Sequence, residues 1–155
     1  MDDLGLIEFL PNVEELFKIY NEKYFSNYLI DVKLEWSEKM TRCAGICMLK
    51  PGREVIIRLS RPLLQLRPFS DTIDTLLHEM IHAYFFVKQG GSIDRDGHGP
   101  DFCGFKDKIN ATEGTHITIY HSFHDEVDHY KKHIWRCNVH LYIKSSVLIN
   151  LLGSL

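Results

Sequence analysis

Between residues 71 and 89, apolar side chains recur at Ile73, Leu76, Leu77, Met80, Ile81, Tyr84 and Phe85. These steps of three and four cover most of a helix circumference and predict a buried helix, capped by Ser70 or Asp71 and ended at Gly90-Gly91. Upstream, Val13, Leu16, Phe17, Tyr20 and Tyr24 keep the same spacing over roughly 12–25, with Asn12 and Glu15 placed as a capping box. The period changes to two in Asp31-Val32-Lys33-Leu34-Glu35-Trp36, which predicts a half-buried strand. Residues 42–48 and 53–60 predict two more strands joined as a hairpin around Lys50-Pro51-Gly52, with Val55, Ile57 and Leu59 facing inward. Arg61 to Phe69, with Pro62 and Pro68, is expected to be a connector. A polar loop from Ser92 to Gly99, a helix over about 100–110 opened by Pro100, and a strand from Thr115 to His121 complete the pattern. The fold class expected is α+β, with a small mixed or antiparallel sheet packed against the buried helix.

The 155 residues suit one domain, and 45% hydrophobic with 25% charged residues is ordinary globular composition. The acidic start at Asp2 and Asp3 does not make a signal or transit peptide, and no apolar run is long enough for a membrane span. An intracellular protein with reduced thiols at Cys43, Cys47, Cys103 and Cys137 is expected. Cys43 and Cys47 are spaced as half a metal site or as packed strand residues, and with no second pair the packing reading is favoured. The net charge of −3 argues against generic nucleic-acid binding. Residues 41–67 nevertheless carry Arg42, Lys50, Arg53, Arg58, Arg61 and Arg67 against the single acid Glu54, whereas residues 68–130 carry eleven acids and four bases. That basic stretch is either a phosphate-facing surface or a solvated strand edge.

The buried helix contains the candidate chemistry, His78-Glu79-Met80-Ile81-His82. Histidines at i and i+4 lie about 400° apart around the axis and one turn apart along it, so they share a face. Two neutral imidazoles supply half of a tetrahedral metal site that can keep one position open. Glu79 is placed to accept a proton from the water the metal activates, rather than to bind the metal. For a third ligand the following loop offers Asp94, Asp96, His98 and Asp101. Histidine suits zinc best, and His98 sits between Gly97 and Gly99 at a helix start. The sixteen residues from His82 to His98 exceed metzincin spacing and exclude that subclass. Beyond residue 120, His121, His124 and Tyr130 are candidates for orienting ligands or stabilising an oxyanion, and a solvated helix start explains the same residues.

Four stretches carry a family resemblance: Leu76-Leu77-His78-Glu79-Met80-Ile81-His82-Ala83-Tyr84, Asp96-Gly97-His98-Gly99-Pro100-Asp101-Phe102-Cys103, Tyr120-His121-Ser122-Phe123-His124-Asp125-Glu126-Val127-Asp128, and Trp135-Arg136-Cys137-Asn138. Over residues from about 10 to 138 the chain resembles the protease domain of the SprT-like family. The resemblance implies a zincin-like metalloprotease domain over 1–138, with His78, His82 and His98 as ligands of Zn2+ and Glu79 as the catalytic base. It further implies proteins bound or crosslinked to DNA as substrates, single-stranded DNA as a partner, and a nuclear, chromatin-associated location in DNA repair. The tail departs from the family. Where relatives continue into a small zinc-binding subdomain and partner motifs, Val139 to Leu155 is an apolar segment with one lysine. The expectation is a zinc endopeptidase whose coupling to DNA is weakened, and the alternative is an inactive, zinc-folded binding module.

Overall fold

The computed structural model describes residues 12–90 and 97–120. Helix α1 (Val13–Phe25) begins where expected, with the Asn12 side chain accepting from the Glu15 backbone N–H at 3.2 Å. Strands β1 (Lys33–Ser37), β2 (Gly45–Lys50) and β3 (Glu54–Ser60) form one mixed sheet in the order β1-β3-β2, with β1 parallel and β2 antiparallel to β3. The β2–β3 hairpin turns at Pro51-Gly52, where Gly52 has φ +84° and the Lys50 carbonyl accepts from the Arg53 N–H. Proline followed by a glycine of positive φ is the pattern of a type II turn.

Because side chains alternate along a strand, β3 sends Val55, Ile57 and Leu59 to one face and Ile56, Arg58 and Ser60 to the other. The first face, joined by Leu34 and Trp36 of β1 and Cys47 and Leu49 of β2, packs into the core. On the other face, Arg58 pairs with Glu35 directly across the parallel register at 2.5 Å. Helix α3 (Phe69–Gln89) lies against β2 and β3 and is also packed by α1, the short helix α2 (Arg61–Leu64) and α4 (Pro100–Glu113). Leu76, Leu77, Met80, Ile81 and Ala83 are fully enclosed, as expected of a buried helix.

Three expectations change. The connector after β3 contains the short helix α2, because Ser60 caps it through Leu63 N–H and Pro62 occupies its first turn. Helix α3 starts at Phe69 instead of being capped by Ser70 or Asp71: the Asp71 carboxylate is held by Arg67 at 2.7 Å, and Pro68 brings the chain in extended. Among the described residues, the 115–120 part of the expected last strand joins no sheet. Its backbone is held by helix side chains, which gives the same extended, alternating pattern without a neighbouring strand. The expected calls on His121, His124, Tyr130 and the tail 139–155 lie outside the described residues.

Candidate metal centre

On α3, His78 and His82 stand one turn apart, as the spacing requires. The loop before α4 returns His98 to them. The three Nε2 atoms lie 3.1 Å from one another in every pairing. Among the described residues this is the one group of three or more His, Cys, Asp or Glu donors that could hold a metal ion. A tetrahedral ion with nitrogen bonds of about 2.0 Å spaces its ligand nitrogens about 3.3 Å apart. The triangle matches that spacing and leaves a fourth direction for substrate or water. Three ring nitrogens facing one point also suit a cation better than one another, since neutral imidazole nitrogens cannot each be both donor and acceptor there. The donor set therefore fits a metal.

The rings are fixed from behind. His78 Nδ1 is 2.8 Å from the Thr118 carbonyl oxygen, which can only accept, so the proton resides on Nδ1 and the Nε2 lone pair points into the triangle. Phe102, 1% exposed, sets its ring 4.8–4.9 Å from all three imidazoles and closes one side. Cys103 of α4 reaches the His98 carbonyl through its thiol at 3.6 Å.

Glu79 follows His78 on α3 and is 3% exposed. Burial pushes its carboxyl up to about 8, against the pull of a hydrogen bond from the Cys47 backbone N–H. That contact exists because β2 approaches α3 at Gly45. A Cβ there would meet Thr75 Cγ2 at 2.7 Å and Glu79 Cγ at 2.8 Å, so only glycine lets the strand come this close. Cys43 and Cys47 lie beside the same carboxylate. Burial raises both thiols above their ordinary range, the Glu79 charge adds to this, and Cys47 packs against the core. They are outside the donor triangle, in keeping with the packing reading.

The basic stretch is partly neutralised. Arg58 pairs with Glu35, Arg61 with Glu38 at 2.5 Å while covering the Trp36 ring, and Arg67 with Asp71. Arg42, Lys50 and Arg53 make no ion pair among the described residues. Asp101 is exposed on α4, and Asp94 and Asp96 lie outside the described residues. The sequence named all three histidines and Glu79 as candidates but did not point to Gly45, Phe102 or the Thr118 carbonyl, and the structure brings the histidines together. A lone glycine inside a strand pattern is the signal that marked Gly45. Thr118 acts through its backbone, which leaves no mark in a side-chain pattern.

A buried helix with two histidines, a third brought in by the next loop, and a small mixed sheet alongside define a zincin-like α+β domain with a three-histidine candidate metal centre. The particular family follows from comparison: residues 13–121 match the SprT-like family, and the chain belongs to it. The chain is 55% identical over 129 residues to the DNA-dependent metalloprotease SPRTN of Danio rerio, covering 83% of this chain and 20% of that relative. It is 51% identical over 134 residues to the protein of the same name from Homo sapiens, covering 86% and 27%. It is 52% identical over 132 residues to the DNA-dependent metalloprotease dvc-1 of Caenorhabditis elegans, covering 83% and 36%. The matched segment thus spans about a fifth to a third of the length of these curated relatives. No helix among the described residues is long and apolar enough to cross a membrane.

Proposed function

We propose that this chain is a zinc-dependent endopeptidase domain that cleaves proteins bound or crosslinked to DNA. The observation that carries the reading is the convergence of the His78, His82 and His98 Nε2 atoms, 3.1 Å apart, next to the buried Glu79 carboxylate. Three imidazoles with one open direction are the donor set of catalytic zinc. Zinc held there supplies Lewis acidity, lowering the pKa of water and polarising a carbonyl. Glu79 accepts the proton of the attacking water and returns it to the leaving amine, while the Cys47 N–H holds its carboxylate in place. The Nδ1–H of His78, donated to the Thr118 carbonyl, holds that imidazole in orientation with its Nε2 aimed at the other two histidines.

The DNA part of the proposal is supported by the names of the relatives and by the family resemblance. Single-stranded DNA is the proposed activating partner and the nucleus the proposed location. The protease domain is taken to run over 1–138, with 139–155 a separate apolar tail. The experiment is zinc analysis of the purified chain together with cleavage of a DNA-binding protein, with and without single-stranded DNA. Glu79→Gln should retain stoichiometric zinc and lose about 10²–10⁴-fold in cleavage rate. A zinc-loaded wild-type chain that cuts in neither condition would overturn the reading in favour of a binding module.

A further inference from the structure

Residues 115–118 run extended between α3 and α4, and their backbone groups alternate between the two helices. In an extended chain the N–H and C=O of one residue point to one side, and those of the next residue to the other. His116 donates its N–H to Asp74 Oδ1 at 3.0 Å, and Thr118 offers its carbonyl to His78 Nδ1 at 2.8 Å. Both partners belong to α3. Ile117, of opposite parity, turns to α4: Asn110 Nδ2 donates to the Ile117 carbonyl at 3.0 Å, and Asn110 Oδ1 accepts from the Ile117 N–H at 2.9 Å. Oδ1 also accepts from the Thr115 hydroxyl at 2.8 Å. The Asn110 amide therefore pairs with Ile117 as a neighbouring strand's peptide would.

The spacings agree. Asp74 and His78 are four residues apart on a helix, a rise of about 6.0 Å, and residues 116 and 118 are separated by about 6.6 Å of strand. Two consecutive rungs on α3 therefore take two alternate residues of the segment. A one-residue slip would turn the Ile117 groups toward α3 and carry the Thr118 carbonyl away from His78. Asp74 alone does not prevent that slip, because its carboxylate can accept from any N–H presented to it. Asn110 can, because its donor and acceptor fit both groups of one residue.

We infer that Asn110 is a positioning residue for the metal centre: by fixing the register of 115–118 it aims the Thr118 carbonyl at His78 and sets the tautomer that presents Nε2 to the ion. The inference rests on the proposed role of His78 as a ligand. It requires Asn110 to act at a distance from the metal, through backbone rather than through the ion.

The test is made on the full chain, with Asn110→Ala, Asn110→Asp (which keeps the acceptor and loses the donor) and Tyr24→Phe as a control on the α1–α4 contact. Zinc affinity is measured by chelator competition. In parallel, the His78 tautomer is read by ¹⁵N NMR of the metal-free, histidine-labelled chain. Asn110→Ala should weaken zinc about ten- to a hundredfold, with Asn110→Asp in between. Tyr24→Phe should stay within about twofold. The tautomer should be Nδ1–H in the wild type and mixed in Asn110→Ala. An Asn110→Ala chain with wild-type circular dichroism, affinity and tautomer would overturn the inference. If Asn110→Ala does not fold, the same comparison on Asn110→Asp decides it. A wild-type chain that takes up no zinc would overturn the proposed function instead, and the tautomer of the metal-free chain would still decide the role of Asn110.

Discussion

Helices α3 and α4 each bring part of the metal site, but they are held in different ways. Helix α3 is packed by β2, β3, α1, α2 and α4, and encloses ten residues, His78 and Glu79 among them. Helix α4 has two buried residues, Phe102 and Ile109, and packs mainly on α3. Its ties to α1 are side-chain contacts, the stacked Phe25 and Phe105 rings at 5.6 Å and the Glu113 carboxylate with Lys23 and Tyr24. Two histidines and the carboxylate thus stand on the part of the molecule that is hardest to move. The third histidine enters on the loop that leads into α4, a helix that borrows its position from its neighbours. A site built this way has a rigid half and an adjustable half, and the metal is the natural clasp between them.

The contrast can be broken first in the core. Leu77 and Ile109 are both 0% exposed, so transfer from water alone predicts equal losses on truncation. Packing predicts otherwise. The sheet and three helices packed on α3 cannot readily close a cavity within it, and Leu77→Ala should cost about 4–5 kcal/mol in denaturant unfolding, whereas Ile109→Ala, on a thinly packed helix that can settle inward, should cost about 2–3 kcal/mol. Equal losses would mean that α4 is as tightly held as α3.

Removal of the bound metal gives the next largest effect. Stripping the chain with a chelator should leave hydrogen exchange in α3 unchanged and speed exchange over residues 98–106 about tenfold, or roughly 1.4 kcal/mol of local protection. Equal acceleration in both helices would deny that the metal clasps a mobile half to a fixed one.

The same contrast explains what the sequence disclosed. Helix α3 was legible because a helix packed on all sides writes its apolar residues at every third or fourth position and places its functional groups by the same spacing. The hairpin was legible from Pro51-Gly52 between alternating runs. Residues 115–120 were misread because alternation reports extended backbone and not its partner, which here is Asp74 and Asn110 in place of a strand. The prolines of 61–69 suggested a break, although Ser60 followed by Pro62 is also how a helix starts. The charge of 41–67 overstated the basic surface because Glu35 and Glu38, which pair with Arg58 and Arg61, precede the stretch in sequence and meet it only in the fold. His98 was favoured over three nearby aspartates by its ligand chemistry and by the family resemblance, and the return of its loop brings its Nε2 to the other two.

The smallest expected effect lies at the far end of α4. Tyr24 donates its hydroxyl to Glu113, and the Lys23 ammonium reaches the same oxygen at 2.5 Å. Lys23 first and then Tyr24 hold the Glu113 carboxyl below its ordinary 4.5. A lowered carboxylate adds stability above its unfolded pKa, and that stability is lost as pH falls through the folded value. Tyr24→Phe should therefore cost about 1 kcal/mol at pH 7, where the accepting oxygen is charged, and the difference from wild type should shrink as pH drops below 4.5. Thermal unfolding of both chains across that pH range measures it. A cost that stays constant into acid would show that the hydroxyl is held by packing of its ring rather than by the charge on Glu113, and would make the α1–α4 contact a second core instead of a surface tie.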